Sequence, residues 1–351
     1  MTAIATHHIR DVTSNTRELT SPPWLKKINN SAMATVAIEI DGLTKDYPLG
    51  FLGRRKRRSL DHLTLSVNEG EVFGFLGPNG AGKTTTLKLL MGLTFPTEGT
   101  ARIGGRSIDD IEMHRDIGYL PEQPYFYDYL TARELLDYYA RFSNYSAAER
   151  RHRVERFLAL VGLASAGHLQ LRKFSKGMMQ RVGIAQAILH DPQIVFLDEP
   201  MSGLDPIGRR EVRDIILDLK RQGRTVFFST HILSDAELLC DRVAVLHEGK
   251  LQGVGAPREI VSLEVRAAEI LFELPQGHPL PACVSERATK IGAHYRFEVA
   301  EENLYGAIDQ LRQCGARILS VSLMRPTLED YFFRLIDKGK AASHAVEVNP
   351  R

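Results

Sequence analysis

The sequence predicts an α/β fold followed by a small α+β domain. Three observations carry that expectation. Short solid apolar runs, Val72–Leu76, Ile194–Leu197 and Thr225–Phe228, have the composition of parallel strands covered on both faces. Segments of helical periodicity with recognisable starts and stops lie between them. A glycine-rich loop, Gly77 to Gly82, joins one such strand to one such helix. Strands alternating with helices make a layered fold with a parallel sheet.

The elements follow in order. Residues 1–34 mix Ser, Thr, Asn and His with a Pro22-Pro23 pair and show no sustained periodicity. They are expected to be a flexible extension that contributes nothing to folding, with no apolar stretch of the signal-peptide kind. Val36–Ile40 reads as a first strand. The helix after the glycine loop places Leu87, Leu90 and Met91 on one face. Thr131 with Glu134, and Ser146 with Glu149, have capping-box spacing and open two further helices. The second of these carries the stripe Val154, Phe157, Leu158 and Val161 and is stopped by Gly162. Asp205-Pro206 starts another helix and Gly223 ends it. The core domain spans residues 35–262. In 263–338 the pattern changes to strands at Val265–Leu274, His294–Ala300 and Ile318–Met324 and a helix at Asn303–Gln313. A last helix from Thr327 aligns Leu328, Tyr331, Phe332 and Leu335. Residues 339–351 read as a tail.

Composition bounds the function. At 351 residues the chain is long enough for about two domains. Hydrophobic residues are 43% and charged residues 25%, an ordinary globular balance. Mean hydropathy is −0.19, and every apolar run stops short of the ~18 residues a spanning helix needs. An integral membrane protein is thereby excluded; a peripheral one is not. The net charge of +2 gives no argument for nucleic acid. Three scattered cysteines, Cys240, Cys283 and Cys314, make neither a disulfide scaffold nor a zinc site.

The segment Gly77-Pro78-Asn79-Gly80-Ala81-Gly82-Lys83-Thr84 fits G-x-x-x-x-G-K-[ST]. Glycines let backbone N–H groups wrap phosphates, and the helix that starts there adds the positive end of its dipole. Lys83 is placed to reach the terminal phosphates and the Thr84 hydroxyl to ligate Mg²⁺, with Thr85 next to it in the loop. Chance would produce about 0.01 such matches in a chain of this length. The strand at Ile194 ends in Asp198-Glu199. Asp198 suits the Mg²⁺ of a neighbouring phosphate loop, and Glu199 suits a general base for the attacking water. Alone, the pair would equally be a solvated acidic loop.

These motifs define a P-loop NTPase. A third segment, Phe174-Ser175-Lys176-Gly177-Met178-Met179-Gln180-Arg181, stands with its serine 23 residues before Asp198. Ser175 and the Gly177 N–H open a helix that runs to Leu189, which makes a second anion site. This segment resembles the signature loop of ABC ATPases, in the Ser-Lys-Gly-Met form common in ABC-2-type exporter subunits. The departures from the commonest pattern are Phe174 for Leu and Lys176 for Gly. Lys176 either faces phosphates or points to solvent. The resemblance covers about residues 36–258, with its motifs in order. By it, Gln123 matches the Q-loop glutamine that touches Mg²⁺ and the attacking water. Ser202-Gly203-Leu204-Asp205 matches the D-loop, His231 the switch histidine, and Tyr47 the aromatic that stacks on adenine.

The resemblance implies an ABC ATPase core with an antiparallel β subdomain and a helical signature subdomain. It implies an ATPase using ATP and Mg²⁺. Ser175 and Gly177 would then contact a nucleotide held by a second copy, in a nucleotide-sandwich homodimer. It further implies an integral membrane permease as partner, export as the direction, and a peripheral place on the cytoplasmic face of the bacterial inner membrane. Two other classes are a regulatory protein that holds ATP without turnover, against which Glu199 and His231 speak, and a soluble ABC ATPase acting on ribosomes or nucleic acid. Against the latter, the chain carries one nucleotide domain, and only 115 residues separate Lys83 from Asp198, with no heptads or Cys clusters between.

Two features stay open on sequence alone. The run Arg54-Arg55-Lys56-Arg57-Arg58 reads as a solvated hairpin tip or as a contact for anionic lipid heads. Tyr125, Phe126, Tyr127 and Tyr129 follow Gln123 and read either as a contact patch for the membrane subunit or as packing of the helical subdomain.

Overall fold

The computed structural model describes residues 35–49, 55–260, 267–275, 280, 284, 288–324 and 329. The expected N-terminal extension, Arg54, the last helix from Thr327 and the tail lie outside the described residues.

The central sheet has the order β10-β9-β3-β8-β7-β6. Its strands are β3 (Val72–Leu76), β6 (Ile117–Leu120), β7 (Ile194–Asp198), β8 (Thr225–Thr230), β9 (Arg242–His247) and β10 (Lys250–Gly255). All pairings are parallel except that of β9 with β10. Every residue of β3, β7 and β8 is buried, because side chains alternate between two cores. Val72, Val195, Leu197, Val226 and Phe228 join the core formed with α2 (Ala132–Ala140), α3 (Ala147–Leu160), α4 (Lys176–Ile188) and α5 (Pro206–Arg221). Phe73, Phe75, Ile194, Phe196 and Phe227 face the other core. There they meet α1 (Lys83–Leu90) and a separate antiparallel sheet. That sheet has the order β2-β1-β4-β5, from β1 (Val36–Leu49), β2 (Arg55–Asn68), β4 (Glu98–Ile103) and β5 (Arg106–Ser107).

The first strand is longer than its apolar run predicts. It passes Ile40 through a register shift at Gly42, whose φ is 60° and whose N–H donates to Thr64 Oγ1. Glycine takes that backbone region without strain, so the strand bends and pairing with β2 resumes.

Local signals set the helix ends. Thr131 and Glu134 form both halves of the expected capping box. Ser146 forms only half of its box: its hydroxyl accepts from Glu149 N, while the Glu149 carboxylate pairs with Arg153 one turn on. Asp205 caps α5 through Gly208 N with Pro206 in the first turn. Gly162 and Gly223 follow their helices at φ 68° and 79°.

After α6 (Leu233–Leu239) and α7 (Pro257–Ile260) comes the accessory region. Its antiparallel sheet has the order β12-β13-β11-β14, with β11 (Ala267–Glu273), β12 (Ala288–Ile291), β13 (His294–Ala300) and β14 (Arg317–Met324). One face carries Ala268, Ile270, Phe272, Phe297 and Val299 under Leu304, Ala307 and Leu311 of α8 (Leu304–Gln313). Strand β12 was not legible in the sequence, because four residues with one buried neighbour in register carry too little alternation.

Candidate active site

The carboxyl ends of β3, β7 and β8 lie side by side, and each delivers one part of the site. After β3 the chain turns through Gly77–Gly82 into α1. Two glycines are required there by contact. A Cβ on Gly77 would stand 2.4 Å from the Leu246 carbonyl oxygen, and one on Gly82 would stand 2.5 Å from that of Ser59. Gly80 and Gly82 also have φ of 82° and 110°. The loop is thus folded tightly against β9 and β2, and its Lys83 side chain turns back over it. The Lys83 ammonium donates to the carbonyls of Gly77 at 2.6 Å and Pro78 at 3.3 Å.

Strand β7 ends at Asp198 and the backbone reverses at Glu199, whose φ of 49° is the left-handed region. A non-glycine residue there costs on the order of 1–2 kcal/mol. Strand β8 supplies the restraint: Glu199 N donates to Ser229 Oγ at 3.0 Å and to the Ser229 carbonyl at 3.2 Å. That same hydroxyl donates to Asp198 Oδ1 at 2.5 Å. Ser229 therefore fixes both carboxylate residues at once. Its role was missed in the sequence, where its one signal is a hydroxyl side chain directly after the apolar run Thr225–Phe228.

The Glu199 carboxylate is buried and divided between two partners. Oε1 stands 3.2 Å from the Lys83 ammonium and Oε2 2.8 Å from His231 Nδ1. Three residues distant in sequence thus form one chain of contacts, loop lysine to strand-end glutamate to histidine. His231 remains partly exposed and lines an open cleft of about 300 Å³ with Gly77, Pro78, Asn79 and Leu233.

Asp198 is bonded to Ser229, and the Thr84 hydroxyl lies close enough to lower its pKa. Burial pushes its pKa above the ordinary aspartate value, against the lowering effect of those two hydroxyls, and the nearby Glu122 and Glu199 carboxylates push the same way. A raised folded pKa means the folded chain binds the proton more tightly than the unfolded one. The cost of this burial is absent below the unfolded value of 3.8 and builds as the pH rises past it toward the raised folded value. Asp198→Asn should therefore melt higher than the wild type at pH 7 without nucleotide, with the gap closing toward pH 4. Thermal melts across that range check it; a lower melting temperature at pH 7 would contradict it.

The residues present suit a magnesium nucleotide. The loop backbone is free of Cβ atoms where it turns, and the donor set of Thr84 hydroxyl and Asp198 carboxylate is hard oxygen, the kind Mg²⁺ takes. No cluster of three or more His, Cys, Asp or Glu side chains able to hold a metal alone occurs among the described residues.

The other expected residues make no side-chain bond to Lys83, Glu199 or His231 among the described residues. Gln123 is exposed and makes no side-chain hydrogen bond among the described residues. The Thr85 hydroxyl is taken by Ser59 Oγ at 2.8 Å. Tyr47, half-buried, lies opposite Arg57 with the Lys45 ammonium 5.1 Å from its ring centre. Ser175 caps α4 by accepting from Met178 N. A Cβ on Gly177 would meet nothing closer than 4.0 Å, so that helix start is open. Lys176 is exposed and lies over Gly203, where a Cβ would meet its ammonium.

The basic run is exposed at Arg55, Lys56 and Arg57, while Arg58 forks onto Asp46 and Asp61. Three of the four aromatics after Gln123 are exposed, Tyr125 at 92%. Phe126 is not part of that surface. It packs on the helical core, with its ring edge-on to Tyr139.

Residues 60–202 match the family described as ABC transporter. The chain is 44% identical over 302 residues to an uncharacterised ABC transporter ATP-binding protein of Synechocystis sp., covering 85% of this chain and 84% of that one. It is 37% identical over 237 residues to a fluoroquinolones export ATP-binding protein of Mycobacterium tuberculosis, covering 67% and 76%. Among solved structures it is similar to a dimeric ATP-binding cassette in a post-hydrolysis state bound to ADP and Pi. That match is 27% identical with a TM-score of 0.58, and covers 63% of this chain and 99% of the other.

Proposed function

The chain belongs to the ATP-binding subunits of ABC transporters, and from that premise we propose that the Lys83–Glu199–His231 cluster hydrolyses ATP between two copies of the chain to drive export through a membrane permease. The observation that carries the catalytic part is the placement of Glu199. It is buried, held at a strained backbone angle, and bonded to both the phosphate-loop lysine and the histidine.

In this reading Gly77 to Gly82 wrap the phosphates and Lys83 binds the terminal ones. Thr84, Asp198 and Gln123 would hold Mg²⁺, which would neutralise charge on the phosphate oxygens. Glu199 takes the proton from water as its oxygen attacks the γ-phosphorus, and the bond to the departing ADP oxygen breaks. His231 holds the carboxylate in line through its contact with Oε2. Tyr47 stacks on the base. Ser175 and the open Gly177 N–H serve the nucleotide of the other copy, consistent with the open start of the helix that Ser175 caps. Export as the direction is supported by the Mycobacterium tuberculosis relative and by the Ser-Lys-Gly-Met signature. No helix among the described residues is long and apolar enough to cross a membrane. The working place proposed for the chain is the cytoplasmic face of the membrane, against the permease.

The contact for that permease is assigned to the aromatic array of the helical subdomain. Tyr127 stands 5.8 Å from Tyr129 and 6.4 Å from Tyr138, ring centre to ring centre, and Phe142 lies 5.4 Å beyond Tyr138. Exposed aromatics at interface centres commonly carry about 2 kcal/mol or more each, roughly thirtyfold in affinity. Tyr127→Ala should keep the melting temperature and lose permease binding on that scale. Phe126→Ala, cutting into the core, should instead lower the melting temperature. Equal melting temperatures and equal binding in both variants would remove the assignment. Purification of the tagged chain from membranes in mild detergent tests the wider reading: a polytopic membrane protein should come with it, and ribosomes in its place would overturn it.

A further inference from the structure

Strand β14 is the outer strand of the accessory sheet, and its free edge pairs with no strand among the described residues. Natural edge strands are guarded by charge, proline or a cover. The opposite edge, β12, follows that rule with an exposed Lys290. In β14, past the exposed Arg317 that opens it, the seven residues Ile318-Leu319-Ser320-Val321-Ser322-Leu323-Met324 carry neither charge nor proline. The core face also runs out through them. Val321 lies opposite Ile270 and Leu323 opposite Ala268. Ile270 and Ala268 are fully buried, while Val321 and Leu323 are 41% and 50% exposed.

The segment is nearly its own mirror image about Val321. Serines flank the valine, leucines flank the serines, and Ile318 and Met324 close the ends. A two-fold antiparallel pairing brings each residue against its mirror position, so such a sequence is complementary to itself. We propose that β14 pairs antiparallel with β14 of a second copy about Val321, continuing the accessory sheet across a two-fold axis. A pair of copies would then be held through the accessory domains irrespective of nucleotide. Each phosphate loop would keep a signature loop at high effective concentration.

The test uses the full chain without nucleotide, carrying Lys83→Ala so that the phosphate site plays no part. Directly opposed residues have Cβ atoms about 4.5–5.5 Å apart, near disulfide reach. Val321→Cys under mild oxidation should run as a covalent dimer on a non-reducing gel, while Ile291→Cys on the other edge should match the parent chain. In sedimentation the parent should be a dimer, and Val321→Lys should be a monomer. Cross-linking of Val321→Cys no greater than the parent's overturns the proposal. So does cross-linking that appears only after residues 325–351 are removed, because the chain's own end would then be the cover. Cross-linking that needs ATP and an intact Lys83 overturns it too, because the contact would merely follow the nucleotide.

Discussion

Glu199→Gln should still bind ATP and lose turnover by about 10²-fold or more, the contribution typical of a positioned general base. The amide keeps the size of the side chain and can accept from His231, so the fold is preserved, but it cannot take a proton. With hydrolysis blocked, the variant should retain bound ATP through gel filtration. Near-normal hydrolysis would move the base elsewhere. Lys83→Ala gives a different expectation: it removes the cation from Glu199 and from the loop, and should weaken nucleotide binding itself.

The second large effect is structural and reaches the same site from below. Phe227, on β8, touches three rings of the central sheet: Phe73 at 5.5 Å, Phe75 at 5.4 Å and Phe196 at 5.6 Å between centres. All four are fully buried. They tie β3, β7 and β8 together, the strands whose ends carry the phosphate loop, the two carboxylates and His231. Phe227→Ala should cost about 3–5 kcal/mol in lost packing and cavity. In a domain of this size that lowers the melting temperature by on the order of 10 °C. Thermal melts check it. Phe227→Leu, which keeps most of the volume, should recover much of the loss, and an unchanged melting temperature for the alanine variant would contradict this view of the core.

The sequence was most informative where a signal is local. A capping box at Thr131, a proline after Asp205 and a stop at Gly223 each depend on a few neighbouring residues, and each helix end stands where that chemistry puts it. The buried strands were legible because a parallel sheet with two covered faces leaves no room for polar alternation. The continuation of β1 past Ile40 was not, since it depends on pairing with β2 across a bulge. The burial of Phe126 beside exposed tyrosines was likewise hidden, because it is decided by Tyr139 and the helical core rather than by its own neighbours. In the site, Lys83 was legible from the phosphate-loop motif and Asp198 and Glu199 from a strand end beside it, His231 only through the family resemblance, and the structure brings Lys83, Glu199 and His231 into contact. What the sequence could not supply was the division of Glu199 between Lys83 and His231, or the double duty of Ser229, which are facts of three dimensions.

In the proposed assembly each hydrolysis site is built from the phosphate loop of one copy and the signature loop of another. Two inactive variants test it in one measurement. Lys83→Ala spoils the phosphate loop and leaves Ser175 and Gly177 intact; Ser175→Arg does the reverse. Random pairing makes about half of the dimers mixed, each with one complete site. The account predicts that the mixture hydrolyses ATP well above the sum of its parts, toward roughly a quarter of the wild-type rate. A mixture no faster than the two variants measured separately would contradict it.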